Sequence, residues 1–374
     1  MTPEVAVSIL QHAFDTEIAA RSGLDRLSGA RPPTHGPVDI FLCVVDHYEP
    51  SWGEPPRQVA QSRHVDWLTH YPRIAQTYRD WTGRKAVHTF FYPWDEFDDW
   101  EFGTLQQLCH DGAGETEIHL HHHDDTALTL RRKLFDACAR FRRDGALTEW
   151  ANGTPAFGFV HGNWALDNSR IENGRNYCGV DNELGVLIDA GCYADFTFPA
   201  WRHFSQPRQT NSIYYAAGAD GKRKAYDRGE RARVGKSAPD NSLLLIQGPL
   251  VPSITWNKHR PKIVMDDGDL AGYRRFSPAR LDRWVGAGIH VDGRPDRIFI
   301  KLHCHGAHDN NRCALLTQDL DALYSDALRR YNDGSRWRMH FVTAREMFNI
   351  VKCTEDARRG LTMDEERDYI LKRK

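Results

Sequence analysis

The sequence lacks the features that mark several large classes of protein. No apolar run reaches the roughly 18 to 20 residues that a membrane-spanning helix needs. The apolar start at residues 1–9 has no basic segment, so it predicts a helix rather than a signal peptide. The 49 Lys and Arg nearly balance the 51 Asp and Glu, and this net charge of −2 does not favour binding to nucleic acid. We expect no membrane span and no nucleic-acid partner.

Common catalytic and redox patterns are missing as well. None of the eight cysteines forms a CxxC pair, so reduced thiols in a cytoplasmic protein are expected. No Gly-x-Ser-x-Gly motif occurs, which disfavours a serine hydrolase. Residues 229–237 resemble a phosphate-binding loop, but five residues separate the glycines and no apolar strand precedes them. The chain therefore lacks the usual signatures of serine or nucleotide chemistry.

Predicted strands alternate with predicted helices along most of the chain. The strands are expected at 38–45, 86–92, 117–121, 156–160, 242–246, 297–302 and 340–342. The helices are expected at 59–78, around Leu105, from a cap at Thr126 to Arg142, and at 183–189, 320–331 and 345–351. About seven βα units predict an α/β fold with a parallel sheet closed into a (β/α) barrel. We expect one domain over 1–374, with a helical extension at 1–37, an irregular insertion over one rim at 204–240, and a helical tail at 353–374.

The 19 histidines cluster where predicted strands end. In a barrel, active-site groups lie at the carboxyl ends of the strands. The groups in question are Asp46 and His47, the run His119 to His123 with Asp124 and Asp125, His161, and His303 with His305. Because side chains alternate along a strand, His119, His121 and His123 are predicted to share one face. Such imidazoles with carboxylates suit one divalent metal: zinc first, or nickel, cobalt, manganese or iron.

These clusters, in this order, resemble the polysaccharide deacetylase superfamily. The similarity extends over roughly 38–351, and the segments DHYEP (46–50), HGNWALDN (161–168), CGVDNEL (178–184) and GCYADF (191–196) resemble a divergent branch of it. The resemblance implies a metal-dependent hydrolase on a distorted (β/α)7–8 barrel.

The family's motifs also imply roles for individual residues. Asp46 falls on the position of the catalytic base. His47 falls on the position of a metal ligand, where an imidazole replaces the family's carboxylate. His121 matches the first histidine of the second motif, whose partner is Asp125 or, by a local shift, His123; which of His119, His121, His123 and Asp125 are ligands stays open. His303 matches the general acid, with His305 as a second candidate.

The resulting expectation is deacetylation of an N- or O-acetylated sugar or polysaccharide precursor by metal-activated water. Asp46 would act as base and His303 as acid; alternatively, Asp46 and His47 both bind the metal and Glu49 or Asp125 is the base. The substrate is a small molecule or oligosaccharide, and its expected contacts are His161, Asn163, Trp164, Asn168 and Asn182. Two other functions remain open: a metal-dependent C–N hydrolase of a small non-sugar amide, and an inactive carbohydrate-binding barrel.

Overall fold

The computed structural model describes residues 3–28, 31–172, 174–257 and 260–373. Its α-helices are α1 (Pro3–Ser28), α2 (Arg57–Thr77), α3 (Asp99–Leu108), α4 (Ala127–Arg143), α5 (Glu183–Ala190), α6 (Pro278–Ala287), α7 (Asp309–Ala314), α8 (Leu320–Tyr331), α9 (Ala344–Glu355) and α10 (Met363–Arg367). Its strands are β1 (Val38–His47), β2 (His88–Pro93), β3 (Gly114–Leu120), β4 (Thr148–Glu149), β5 (Pro155–His161), β6 (Ile171–Glu172), β7 (Arg175–Asn176), β8 (Cys192–Asp195), β9 (Ile213–Ala216), β10 (Glu230–Arg231), β11 (Leu243–Ile246), β12 (Val251–Asn257), β13 (Arg260–Asp266), β14 (Arg297–Cys304) and β15 (Trp337–Phe341).

Most of these strands form one mixed sheet, in the order β10-β9-β11-β8-β5-β3-β2-β1-β14. From β11 to β14 all neighbours in this order are parallel, and β15 lies parallel to the first half of β1. Strands β9 and β10 extend the sheet as antiparallel neighbours. Among the described pairings β10 and β14 remain edges, so the sheet is open. The predicted mixed α/β fold is confirmed, and the closed barrel is not.

Strand β1 runs through the centre of the molecule with both faces buried. Ile40, Leu42 and Val44 pack into the core that also holds apolar side chains of α2, α3, α4 and α8. Phe41 and Val45 pack into a second core, on the other face, together with α9. A parallel strand covered on both sides reads as a continuous apolar run, which is why the sequence predicted it.

Several local predictions are confirmed. The Thr126 hydroxyl accepts a hydrogen bond from the amide of Thr129 and caps α4. Helix α5 ends at Gly191, whose φ of +101° is a conformation that glycine adopts without strain.

The segment predicted as an irregular insertion, 204–240, instead contributes β9 and β10 to the main sheet. No helix in the described ranges is long and apolar enough to cross a membrane.

Candidate metal centre

The carboxyl ends of three parallel strands bring the histidines together. Val45 of β1 is in register with His303 of β14, and β1 ends two residues later at His47. His119 lies on β3, whose neighbour β2 pairs with the same end of β1. Parallel strands direct their carboxyl ends to one edge of the sheet. This edge is where the sequence predicts the functional site.

The carboxylate of Glu49 lies at the centre of this site. Its Oε1 atom is 3.2 Å from Nε2 of His119 and 2.9 Å from Nε2 of His121. Its Oε2 atom is 2.8 Å from Nδ1 of His305 and 3.3 Å from Nε2 of His308. Glu49 is 1% exposed. One buried carboxylate therefore contacts four imidazoles.

The two histidines on Oε1 are held by their other ring nitrogens. Nδ1 of His119 lies 3.1 Å from the carbonyl oxygen of Val160. Nδ1 of His121 lies 3.0 Å from Oδ2 of Asp95, and the His121 amide donates to Oδ1 of the same carboxylate at 2.8 Å. Metal-binding histidines are commonly oriented in this way, by a carbonyl or carboxylate on the nitrogen that does not bind the metal.

This arrangement creates a conflict that a cation would remove. Both ring nitrogens of His119 face oxygens that can only accept hydrogen bonds, those of Val160 and Glu49. Two such bonds need the protonated imidazolium, yet burial lowers the pKa of His119. A neutral ring that donates from Nδ1 and offers the lone pair of Nε2 to a metal satisfies every contact. The donor set of two imidazoles and one carboxylate is also typical of zinc sites.

The charges around Glu49 favour its ionised form. Burial raises the pKa of Glu49, but the charge of His305 and hydrogen bonds from His119, His121 and His305 together lower it well below the usual range. Burial lowers the pKa of His121, and its bonds to Asp95 and Glu49 outweigh this and raise it to about 10. The His121 ring is therefore protonated at neutral pH, and a bound cation would take the place of the proton on its Nε2 atom between the carboxylates of Glu49 and Asp95.

His47 and His303 lie beside this group. The ring of His47 is 4.9 Å from that of His119 and 4.6 Å from that of His305, between centroids. Burial lowers the pKa of both His47 and His303 well below the usual range, so both are neutral. Their Nδ1 atoms are buried and have no hydrogen-bond partner in the described part of the chain. The ring of His303 lies 6.3 Å from that of His47, so both His303 and His305 lie beside His47.

Asp46 does not join the site. Its carboxylate lies 3.0 Å from Nε2 of His88 and accepts a hydrogen bond from the amide of Gly306 at 2.6 Å. These contacts lie on the opposite face of β1. There the indole of Trp67 on α2 donates a hydrogen bond to the carbonyl oxygen of Gly306 at 2.9 Å. Consecutive residues of a strand point to opposite faces, so His47 and Asp46 cannot both face the histidines. The Asp46 carboxylate therefore lies apart from the histidines around Glu49, and its role as the base stays a prediction.

His123 and Asp125 are likewise separate from Glu49. Strand β3 ends at Leu120, so the alternation that aligns His119 with His121 does not continue to His123. His123 is exposed and pairs with Asp124 at 3.1 Å. Asp125 lies 3.2 Å from Nδ1 of His122 and 2.7 Å from Nζ of Lys133. His123 and Asp125, which were predicted as ligands, therefore lie outside this centre. Of the four candidate ligands, His119 and His121 are the ones that contact Glu49.

Of the five predicted substrate contacts, only Trp164 lies against the centre. Its ring is 5.8 Å from that of His305, and its buried Nε1 has no hydrogen-bond partner among the residues described. Asn168 and Asn182 have positive φ angles and bond to Asp181 and Asp220 of neighbouring loops. Asn163 donates to the carbonyl oxygen of His122, and His161 belongs to a second cluster. In the described part of the chain, the hydrogen bonds of these four side chains are with neighbouring loops and not with the residues around Glu49.

Three residues of the site were not predicted. Asp95 orients His121, and His308 completes the contacts of Glu49. The side chain of Glu96 has a buried Oε2 atom without a partner in the described ranges, and burial, with the charge of Glu49, raises its pKa to about 7. The only sequence signal was the acid-rich, aromatic segment that follows β2, at 93–100.

Comparisons with known proteins do not identify a family. No protein-family model matches the chain, and a search of curated proteins finds no match. The function must therefore be argued from the geometry of the site.

Proposed function

We propose that the protein is a metal-dependent hydrolase whose cation is held by Glu49, His119 and His121. The observation that carries the proposal is the pair of imidazoles fixed by Val160 and Asp95, whose Nε2 atoms point at one buried carboxylate. The ring of His47 lies 4.9 Å from that of His119, and we propose it as a further donor. When bound, a divalent ion of this kind acts as a Lewis acid and lowers the pKa of a bound water.

The remaining side chains have roles that follow from their positions. His305 contacts Glu49 through Nδ1, and although burial lowers its pKa, the charge of Glu49 raises it above the ordinary value. Its protonated form can therefore donate a proton to the leaving group, the role expected of His303 or His305. His303 is neutral and lies farther from Glu49. Glu96, with a pKa of about 7, can exchange protons with water at neutral pH.

For the substrate, we propose an N- or O-acetylated sugar or polysaccharide precursor. Aromatic rings flank the centre: Trp52 is 49% exposed and stacks on His308 at 5.1 Å, and Trp164 lies on the side of His305. Flat rings with an exposed face suit the apolar faces of sugars. The resemblance to polysaccharide deacetylases supports the same substrate class.

The sheet order supports this relationship. Strands β1, β2, β3, β5, β8 and β11 lie side by side in chain order, and the late strand β14 returns to β1. A (β/α) barrel has this order, with its last strands beside its first. We propose that the sheet is an incompletely closed barrel of the deacetylase type.

The test compares His121→Ala with His123→Ala, two substitutions in one histidine run. His121→Ala should remove one equivalent of divalent metal per chain and abolish acetate release from acetylated sugars. His123→Ala should change neither, because its ring is exposed and far from Glu49. Unchanged metal content in His121→Ala would refute the metal centre. Metal binding without acetate release from any acetylated sugar would instead favour the small-amide hydrolase or the carbohydrate-binding barrel.

A further inference from the structure

A second cluster of metal-binding side chains lies next to the proposed centre. It consists of His122, His161, Cys178 and Glu183, all with fully buried side chains. One potential ligand atom of each lies within 4.8 Å of the others. His121 and His122 are adjacent in sequence, yet one faces Glu49 and the other faces Glu183. The histidine run therefore serves two separate clusters.

The contacts within this cluster orient its donors inward. Nε2 of His122 is 2.8 Å from Oε1 of Glu183, while its Nδ1 lies 3.2 Å from Oδ2 of Asp125. Asp125 is itself fixed by the Nζ atom of Lys133 at 2.7 Å. A carboxylate behind a histidine is the usual support of a metal ligand. Sγ of Cys178 is 3.3 Å from Oε2 of Glu183.

The buried ring of His161 also lines this cluster. Its side chain is fully buried, its Nε2 atom lies 3.8 Å from Oε1 of Glu183, and this atom has no hydrogen-bond partner in the part of the chain described. An unpaired buried ring nitrogen is costly. Its Nδ1 atom accepts a hydrogen bond from the amide of Asn163 at 3.2 Å. Nε2 can therefore bind a metal only if this bond is given up, so His161 is not one of the three primary ligands.

A second buried carboxyl group, that of Asp167, lies next to this cluster. Asp167 and Glu183 each accept a hydrogen bond from the other's amide, at 3.1 and 2.6 Å, and both side chains are fully buried. Burial and the charge of Glu183 raise the pKa of Asp167 to about 7, and a cation bound by Glu183 would reduce this repulsion. A thiol, an imidazole and a carboxylate are the donors that zinc and similar borderline-soft ions prefer.

We propose that His122, Cys178 and Glu183 bind a second divalent cation, zinc or an ion of similar softness. These residues come from the end of β3, the loop after β7, and the start of α5. The cation would therefore tie the loop at 162–182 to the sheet. This loop carries Trp164, which lies against the first centre. The second cation would act as a structural ion that positions this wall of the proposed active site.

The first test counts metal in the full-length protein after loading with zinc and removal of loosely bound ions. Wild type should hold about two equivalents, and His121→Ala and Cys178→Ser should each hold about one. Cys304→Ser is the matched control, because Cys304 is also a fully buried thiol beside a histidine and a carboxylate, His88 and Asp46. It should keep both equivalents.

The second test replaces zinc with cobalt(II) and records the near-ultraviolet band of thiolate-to-cobalt charge transfer. The band should appear in wild type, His121→Ala and Cys304→Ser, and should be lost in Cys178→Ser. Because the band is read in wild-type protein, the proposal can be refuted even if Cys178→Ser does not fold. A wild type without the band, or a band that survives Cys178→Ser, would overturn the second site.

The two sites fail in different ways. If wild type holds one equivalent of metal, loses it in His121→Ala and shows no thiolate band, the hydrolase centre stands and the second site is refuted. If wild type holds one equivalent that is lost in Cys178→Ser but kept in His121→Ala, the second site stands and the hydrolase centre is refuted.

Discussion

Asp95 offers the sharpest test of the proposed centre, because its carboxylate contacts His121 twice and contacts no proposed metal ligand other than that residue. It accepts from the His121 amide at 2.8 Å and faces Nδ1 at 3.0 Å. Burial raises the pKa of Asp95, but the hydrogen bond and charge of His121 lower it below the ordinary value, so Asp95 is ionised at neutral pH. In Asp95→Asn only one oxygen remains for these two donors.

Either orientation of the new amide disfavours metal binding. If its NH2 group faces the ring, Nδ1 must accept, and the proton moves to Nε2, the atom proposed to bind the metal. If it faces the backbone, the His121 amide loses its acceptor. Loss of such a supporting contact weakens metal binding about 10- to 100-fold, or about 1.4 to 2.7 kcal/mol.

The assay is competition for zinc between the protein and a chromophoric chelator of known affinity. Asp124→Asn is the control, because Asp124 makes the same type of contact with His123 at 3.1 Å, but both side chains are more than half exposed. It should leave zinc affinity within about twofold of wild type, since exposed pairs contribute little. An Asp95→Asn protein with wild-type affinity, or an equal loss in Asp124→Asn, would refute the assignment of His121.

Three further predictions use other parts of the structure. In Gly162→Ala the new Cβ would lie 2.2 Å from Cδ2 of His121, so metal affinity should fall at least about tenfold, whereas Gly103→Ala, with open space around it, should bind metal normally. His305→Gln should keep the metal and lose about 10²- to 10⁴-fold in kcat, measured by acetate release. Burial, only partly offset by hydrogen bonds from Thr197, raises the pKa of Asp195 from 3.8 to about 7. The protonated form is favoured in the fold, so the contribution of Asp195 to stability, measured as the difference between wild type and Asp195→Asn, should fall by up to about 4 kcal/mol as pH rises from about 4 to 7. Chemical denaturation of both proteins at each pH gives this difference.

Much of the fold could be predicted from the sequence because its strands are buried on both faces. The run at 38–45 predicts β1, and the cap at Thr126 predicts the start of α4. Strands β8, β9 and β10 of the main sheet and the antiparallel pair β12 and β13 were missed. Strand β10 has only two residues, and β9 lies in a segment whose other residues are polar and rich in glycine. Such short strands are formed by pairing with a neighbour, β9 with β11 and β10 with β9, rather than by a local pattern.

The site was predicted in outline and not in detail. The ends of the strands bring His47, His119, His121, His303 and His305 close together. The sequence could not show at which residue the alternation of side chains along β3 ends. Beyond Leu120 the chain leaves β3, and His122 and His123 turn to a buried cluster and to solvent respectively. These directions depend on loop contacts that bring together residues far apart in sequence.

The directions of the Asp46 and Glu49 side chains follow from the alternation of side chains along β1. On β1, Cys43 and Val45 face the core opposite to that of Val44, so His47 shares their face and Asp46 does not. Tyr48 packs with Val44, which places the next residue, Glu49, back on the face of His47. The resemblance to deacetylases implied an acid at position 46. The carboxylate that contacts the histidines, Glu49, lies three residues later, so the motif match and the alternation along β1 point to different acids.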